Sequence, residues 1–148
     1  YPDAYVLIDS KTVFSSQLSE TLEDYSDYVE IARNAGAGET LDRIIPEIYN
    51  EAMFPGTAML YSFPSYVYSL WQEYSVEELE YIAPSVKKEI PAATVYWEYW
   101  SEETEKIFEK NGISLYVYTV NDRDQARRYI SQGAEGICTD FLTAEDLW

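Results

Sequence analysis

The sequence predicts a parallel α/β fold, and three observations carry that reading. Six short apolar runs rich in β-branched and aromatic residues recur along the 148 residues. Helix-like or loop segments separate them, in the repeated βα order that leads to a parallel sheet. Polar residues gather where the runs end: Asp9, Lys11, Glu47, Gln72, Glu98, Asn121, Thr139 and Asp140. Two architectures place ligands at that edge, an open doubly wound sheet and a (β/α)8 barrel. No G-x-G-x-x-G or G-x-x-x-x-G-K-[ST] follows any run, which disfavours a nucleotide-binding doubly wound sheet.

The first strand is read as "YVLIDSK", residues 5–11. Residues 15–38 follow as a helix, with Leu18, Leu22, Tyr25, Tyr28, Val29 and Ala32 near helical spacing and Gly36 or Gly38 as its stop. "DRIIPEIY", 42–49, is the second strand; Pro46 has no N–H to give and predicts a bulge or a strand end. Residues 50–64 are a short helix or loop, and "SYVYSLW", 65–71, is the third strand. In 75–89, Ser75 and Glu78 have capping-box spacing, and Pro84 should shorten or kink the helix they open. "AATVYWEYW", 92–100, is the fourth strand, its aromatic run assigned to the core. A helix over 101–112 closes on Asn-Gly, and "SLYVYTVN", 114–121, is the fifth strand. A helix over 122–133 opens with acids and stops at a Gly; "EGICTDF", 135–141, is the sixth strand. A last short turn follows.

Composition excludes several functions. There is no histidine, so Ser-His-Asp and Cys-His catalysis and His-rich zinc sites are closed to this chain. The net charge of −17 and the absence of a basic stripe make nucleic acid a poor partner. The same field repels anionic substrates, so a phosphate ligand would need a divalent cation or a local Lys or Arg. Cys138 is the one cysteine; an internal disulfide is impossible, which fits a reducing, cytoplasmic compartment. With no His to activate it, Cys138 reads as an inert core thiol. No apolar run reaches the roughly 18 residues a membrane helix needs, and no signal-peptide pattern opens the chain. It begins with Tyr1 and not Met, as a processed product, an expressed fragment or an excerpt of something longer would.

"LYVYTVND", a short helix and then "GAEGICTDF" resemble the closing strands of the glycerophosphodiester phosphodiesterase family, which end in a W-T-V-N-like strand, a helix and G-x-x-G-I-x-T-D. "VLIDSK" resembles that family's third strand, usually I-E-x-K. "RIIPEIY" and "YVYSLWQ" look like middle strands of a related bacterial subgroup. The resemblance runs in order over nearly the whole chain. It implies an incomplete TIM (β/α)8 barrel: one C-terminal portion over residues 1–148, supplying strands three to eight as six parallel strands with intervening helices. The family's H-R-G and E-x-D motifs, on strands one and two, would be missing, and with them both catalytic histidines. Such barrels run to roughly 250 residues, so about 100 would lie outside this chain.

The function so implied is that of a metal-dependent phosphoric diester hydrolase acting on glycerophosphodiesters, with Ca²⁺ or Mg²⁺ in the complete domain and no activity from this chain by itself. Asp9 matches the third carboxylate ligand, where the family usually has Glu. Lys11 matches the lysine that contacts phosphate. Glu47, Tyr49, Trp71, Gln72 and Tyr118 are the next residues for lining a substrate pocket; Tyr118 stands where many relatives have Trp. Asp140 reads as a cap for the segment after it. The alternative is a non-catalytic binding or scaffold module that kept the fold. An incomplete barrel also leaves raw edges, to be filled by an N-terminal segment, a second copy of the chain or rearrangement of the first strand.

Overall fold

A computed structural model describes residues 4–10 and 18–147, with side chains in the first helix from residue 22 onward. The chain is an α/β protein of the incomplete (β/α)8 type, with six parallel strands alternating with helices. It forms two compact units, Tyr1–Tyr68 and Ser69–Trp148.

In the first unit, β1 (Val6–Ile8) is followed by α1 (Leu18–Asn34), a 3-10 segment (Gly38–Arg43), β2 (Ile44–Ile48), α2 (Met53–Leu60) and the start of β3 (Val67–Leu70). β1 and β2 pair in parallel with Val6 opposite Ile44 and Ile8 opposite Pro46. β2 pairs with β3 through Glu47 opposite Val67 and Ile48 opposite Tyr68. The core of this unit is Tyr25 and Val29 of α1, Leu41, Ile48, Met53, Phe63, Tyr66 and Tyr68. α1 lies so close to α2 that a Cβ at Gly56 would stand 2.8 Å from a methyl carbon of Leu22. Pro46 does not end or bulge the strand. It sits in register opposite Ile8, because a residue can hold a paired position without itself donating across that ladder.

In the second unit, β3 ends at Leu70, and α3 (Val76–Val86), β4 (Ala92–Tyr96), α4 (Glu102–Lys110), β5 (Ser114–Tyr118), α5 (Arg123–Ser131), β6 (Gly136–Ile137) and α6 (Ala144–Leu147) follow. β4 and β5 pair over five residues, from Ala92 opposite Ser114 to Tyr96 opposite Tyr118. β5 pairs with β6 through Tyr116 opposite Gly136 and Val117 opposite Ile137. Leu79, Ile82, Ala83 and Val86 of α3 are buried, as are Val95, Phe108, Leu115 and Val117. The box that opens α3 forms in full: Glu78 N–H donates to Ser75 Oγ at 3.3 Å and Ser75 N–H to Glu78 Oε2 at 2.7 Å. Ser75 N–H, and then the Ser75 hydroxyl, which also donates to Glu78 Oε2, hold the Glu78 carboxyl below its ordinary range. Pro84 lies within the last turn of α3, which stops two residues later.

The fourth strand is shorter than its aromatic run. Tyr99 N–H turns back to Tyr96 O at 2.9 Å and Trp97 N–H reaches Tyr118 O at 2.9 Å, so residues 97–99 form a turn. β propensity marked the four aromatic residues of 96–100 alike, but only Tyr96 is strand. Tyr96, Trp97 and Trp100 are half-buried and Tyr99 is 37% exposed, so the run is not core as expected but lies at the margin of the core. The sixth strand contracts likewise, from seven residues to Gly136–Ile137. Cys138, just beyond it, is half-buried.

Candidate active site at the strand ends

The C-terminal ends of β1 and β2 bring three of the sequence-derived candidates together. Continuing the β1–β2 register one step past Ile8 and Pro46 sets Asp9 beside Glu47. Tyr49 is two residues beyond Glu47 and therefore on the same face of the strand. Its hydroxyl donates to Glu47 Oε2 at 2.9 Å and also to Asp9 Oδ1. The hydroxyl has one proton, so it serves one carboxylate at a time. Asp9 is exposed, whereas Glu47 and Tyr49 are buried. Burial first, then the Glu47 charge and the bond to Asp9, hold the Tyr49 phenol protonated far above its ordinary range.

α1 fixes the backbone beneath this cluster. Tyr25, fully buried, donates its hydroxyl to Glu47 O at 2.7 Å and lies 3.4 Å from Ile8 O. Ser10, also buried, donates to Asp24 Oδ2 at 2.5 Å. Burial, with Glu47 and Asp9 nearby, raises the Tyr25 phenol as well. Sequence reasoning gave Tyr25 only a place on an apolar helix face; nothing in its spacing shows that its hydroxyl ties down both strands.

The donors in the cluster are all oxygens: two carboxylates and a phenol. That set suits a hard divalent cation in kind. In number it is partial, since such cations take six or more ligands, and among the described residues no group of three or more His, Cys, Asp or Glu could hold a metal ion. Asp9 and Glu47 would be two anionic ligands of such an ion. Lys11 lies outside the described residues.

Trp71, Gln72 and Tyr118 belong to the second unit. Trp71, 39% exposed, and the exposed Gln72 follow the end of β3. Tyr118 closes β5 with its ring 5.9 Å from that of Tyr96, which also touches the rings of Trp97 and Tyr99. At the adjoining end, Asn121 joins β5 to the segment after β6. Its Nδ2 donates to Asp140 Oδ2 at 2.7 Å, and its Oδ1 accepts from Asp140 N–H and Thr139 Oγ1, each at 2.9 Å. The residue that accepts from the following backbone is Thr139, whose Oγ1 takes the N–H of Leu142 at 3.2 Å. Asp140 is the partner of Asn121 rather than the expected cap.

Residues 45–144 match the Glycerophosphoryl diester phosphodiesterase family. No curated protein matches. Solved structures show the same fold at low identity. A protein from Silicibacter pomeroyi DSS-3 aligns at 16% identity and TM-score 0.63, over 93% of this chain and 46% of its own. A glycerophosphodiester phosphodiesterase from Parabacteroides distasonis ATCC 8503 aligns at 14% and 0.58, over 90% and 50%. An Oleispira antarctica phosphodiesterase in complex with the product sn-glycerol-3-phosphate aligns at 13% and 0.58, over 87% and 47%. The chain thus spans about half the length of these structures.

Proposed function

Because the chain belongs to the glycerophosphoryl diester phosphodiesterase family, we propose that it supplies one side of a phosphodiester-hydrolysing site and does not turn over substrate unaided. The observation that carries this reading is the Asp9–Tyr49–Glu47 cluster at the ends of β1 and β2. Asp9 and Glu47 hold a divalent cation, Ca²⁺ or Mg²⁺. That ion, when bound, neutralises the phosphodiester and acts as a Lewis acid. Tyr49 keeps the two carboxylates side by side before the ion arrives, and the acidic field that would repel a phosphodiester is reversed locally. Lys11, two residues past Asp9 in the sequence, adds a positive charge for phosphate. A chain without histidine has no imidazole for proton transfer, so that part comes from elsewhere.

The edge of β1 supports the same reading. Among the described residues β1 pairs only with β2, and Tyr5, Val6 and Leu7 are 62%, 55% and 42% exposed. An open apolar edge of this kind takes another strand, from the other half of the barrel or from a second copy of the chain.

The test has two arms. Calorimetric titration with Ca²⁺ and Mg²⁺ should show binding that weakens at least tenfold in Asp9→Asn; equal binding by parent and variant would refute the assigned ligand. Assays of the chain with glycerophosphodiesters and either cation should show no turnover, and turnover would overturn the claim of inactivity. The chain joined to an upstream half carrying H-R-G and E-x-D should hydrolyse the same esters. Cation binding without turnover in that joined protein would favour the non-catalytic binding module.

A further inference from the structure

Glu105 of α4 is a buried carboxylic acid, and the site described above does not use it. It is 9% exposed, and its Oε2 is sealed from solvent with no hydrogen-bond partner among the described residues. The turn after α5 closes over it. Gly133 adopts φ +114°, and a Cβ there would stand 3.2 Å from Glu105 Cγ. The charged groups that act on Glu105 are Glu109, on its own helix, and Glu135, two residues past Gly133. No cation is among them. A largely buried carboxylate beside two others is penalised by lost hydration and meets only like charge when it ionises.

We propose that the packing of the Gly133–Glu135 turn against α4 is a proton-dependent latch, shut when the Glu105 carboxyl is neutral and loosened when it ionises. Neutral, the side chain lies under the turn as an apolar group would. Ionised, it needs water around the sealed Oε2, and parting the turn from the helix admits that water. The turn leads directly into β6, only two residues long, so loosening it also loosens the strand that places Thr139 and Asp140. This inference concerns the second unit and stands independently of the cation site at Asp9 and Glu47.

The sign follows from the shift. Burial first, then Glu109 and Glu135, push the carboxyl from 4.5 up to about 7 in the folded chain. The unfolded state therefore loses this proton earlier than the folded one. The contribution to stability is complete below pH 4.5, falls as pH rises from 4.5 to 7, and is gone above that range. Over that span the unfolding equilibrium shifts by up to about 300-fold.

The experiment is urea denaturation from pH 4.5 to 8.5 on the parent, Glu105→Gln and Glu135→Gln, with hydrogen exchange of the amides at 133–137 corrected for intrinsic rate. The parent should lose tens- to about 300-fold in folding constant between pH 4.5 and 7 beyond the loss shown by Glu105→Gln, and its exchange at 133–137 should rise with it. Glu135→Gln, altered at an exposed position, should move the inflection to lower pH. Parallel pH profiles for the parent and Glu105→Gln would overturn the proposal. Should Glu105→Gln not fold, an unmoved inflection in Glu135→Gln would overturn it equally.

Discussion

Replacing Tyr25 with Phe removes one oxygen and nothing else. The ring is fully buried in the first unit, and its hydroxyl sits between Glu47 O at 2.7 Å and Ile8 O at 3.4 Å. Phe fills the same volume, so no cavity opens and the loss is confined to the hydrogen bond and the carbonyls it served. A neutral bond of this kind contributes about 1 kcal/mol net, and a buried acceptor deprived of its donor adds to the loss, giving about 1–2 kcal/mol. In a chain of this size that corresponds to a fall in Tm of about 2–8 °C. Tyr25→Ala, which also empties the ring site, should lose about 3–5 kcal/mol. Urea denaturation followed by circular dichroism measures both. Hydrogen exchange should localise the Phe effect to the amides around Ile8–Ser10 and Glu47–Tyr49. A Tyr25→Phe variant within about 0.3 kcal/mol of the parent, outside the effect expected of a buried bond, would refute the view that α1 holds the two site strands through this hydroxyl.

Three other outcomes are expected. Gly136→Ala would place a Cβ 2.7 Å from the Tyr116 ring; it should destabilise the second unit by about 1–3 kcal/mol, and Tyr116→Leu in the same chain should restore part of that in denaturant titrations. Ser101→Ala removes the acceptor for Thr104 N–H at 3.0 Å at the start of α4; it should cost about 1 kcal/mol in thermal unfolding. Because the folded Tyr25 phenol is raised above its ordinary 10, the unfolded chain ionises it first. Stability should therefore decline as pH climbs past 10, and the tyrosinate absorbance of the folded protein in that range should be unchanged by Tyr25→Phe.

What the sequence made legible is what local chemistry decides. Ser75 and Glu78 announce their helix because each satisfies the other's backbone. Asp122, the first of the acids that open α5, caps it in one direction, accepting Gln125 N–H at 2.8 Å. The βα alternation and the parallel pairing followed from the spacing of apolar runs. Strand ends did not, because aromatic β propensity cannot distinguish Tyr96, which is strand, from Trp97 and Tyr99, which turn. At the site, Asp9 and Glu47 were visible as charged residues at the ends of apolar runs. Their meeting at the Tyr49 hydroxyl depends on a strand register that no local pattern encodes. Glu105 was the least legible. It occupies an ordinary place in a helix rich in glutamate, and its contact with the turn at Gly133 is not visible in that pattern.

The Asn121 amide has a consequence for how freely this fold can vary. β6 has two paired residues and therefore little ladder of its own. It is fastened just past its end, by Cys138 N–H to Val117 O at 2.8 Å, Val120 N–H to Cys138 O at 2.9 Å, and both ends of the Asn121 side chain. Glu135 N–H to Leu115 O at 2.9 Å ties its start, so position is specified by that bond and the knot at the far end and not by length. The exposed side of α5, which spans the interval, is free to drift in sequence while the knot is kept. Asn121 itself is not: an aspartate there would lose the donor and face Asp140 charge to charge.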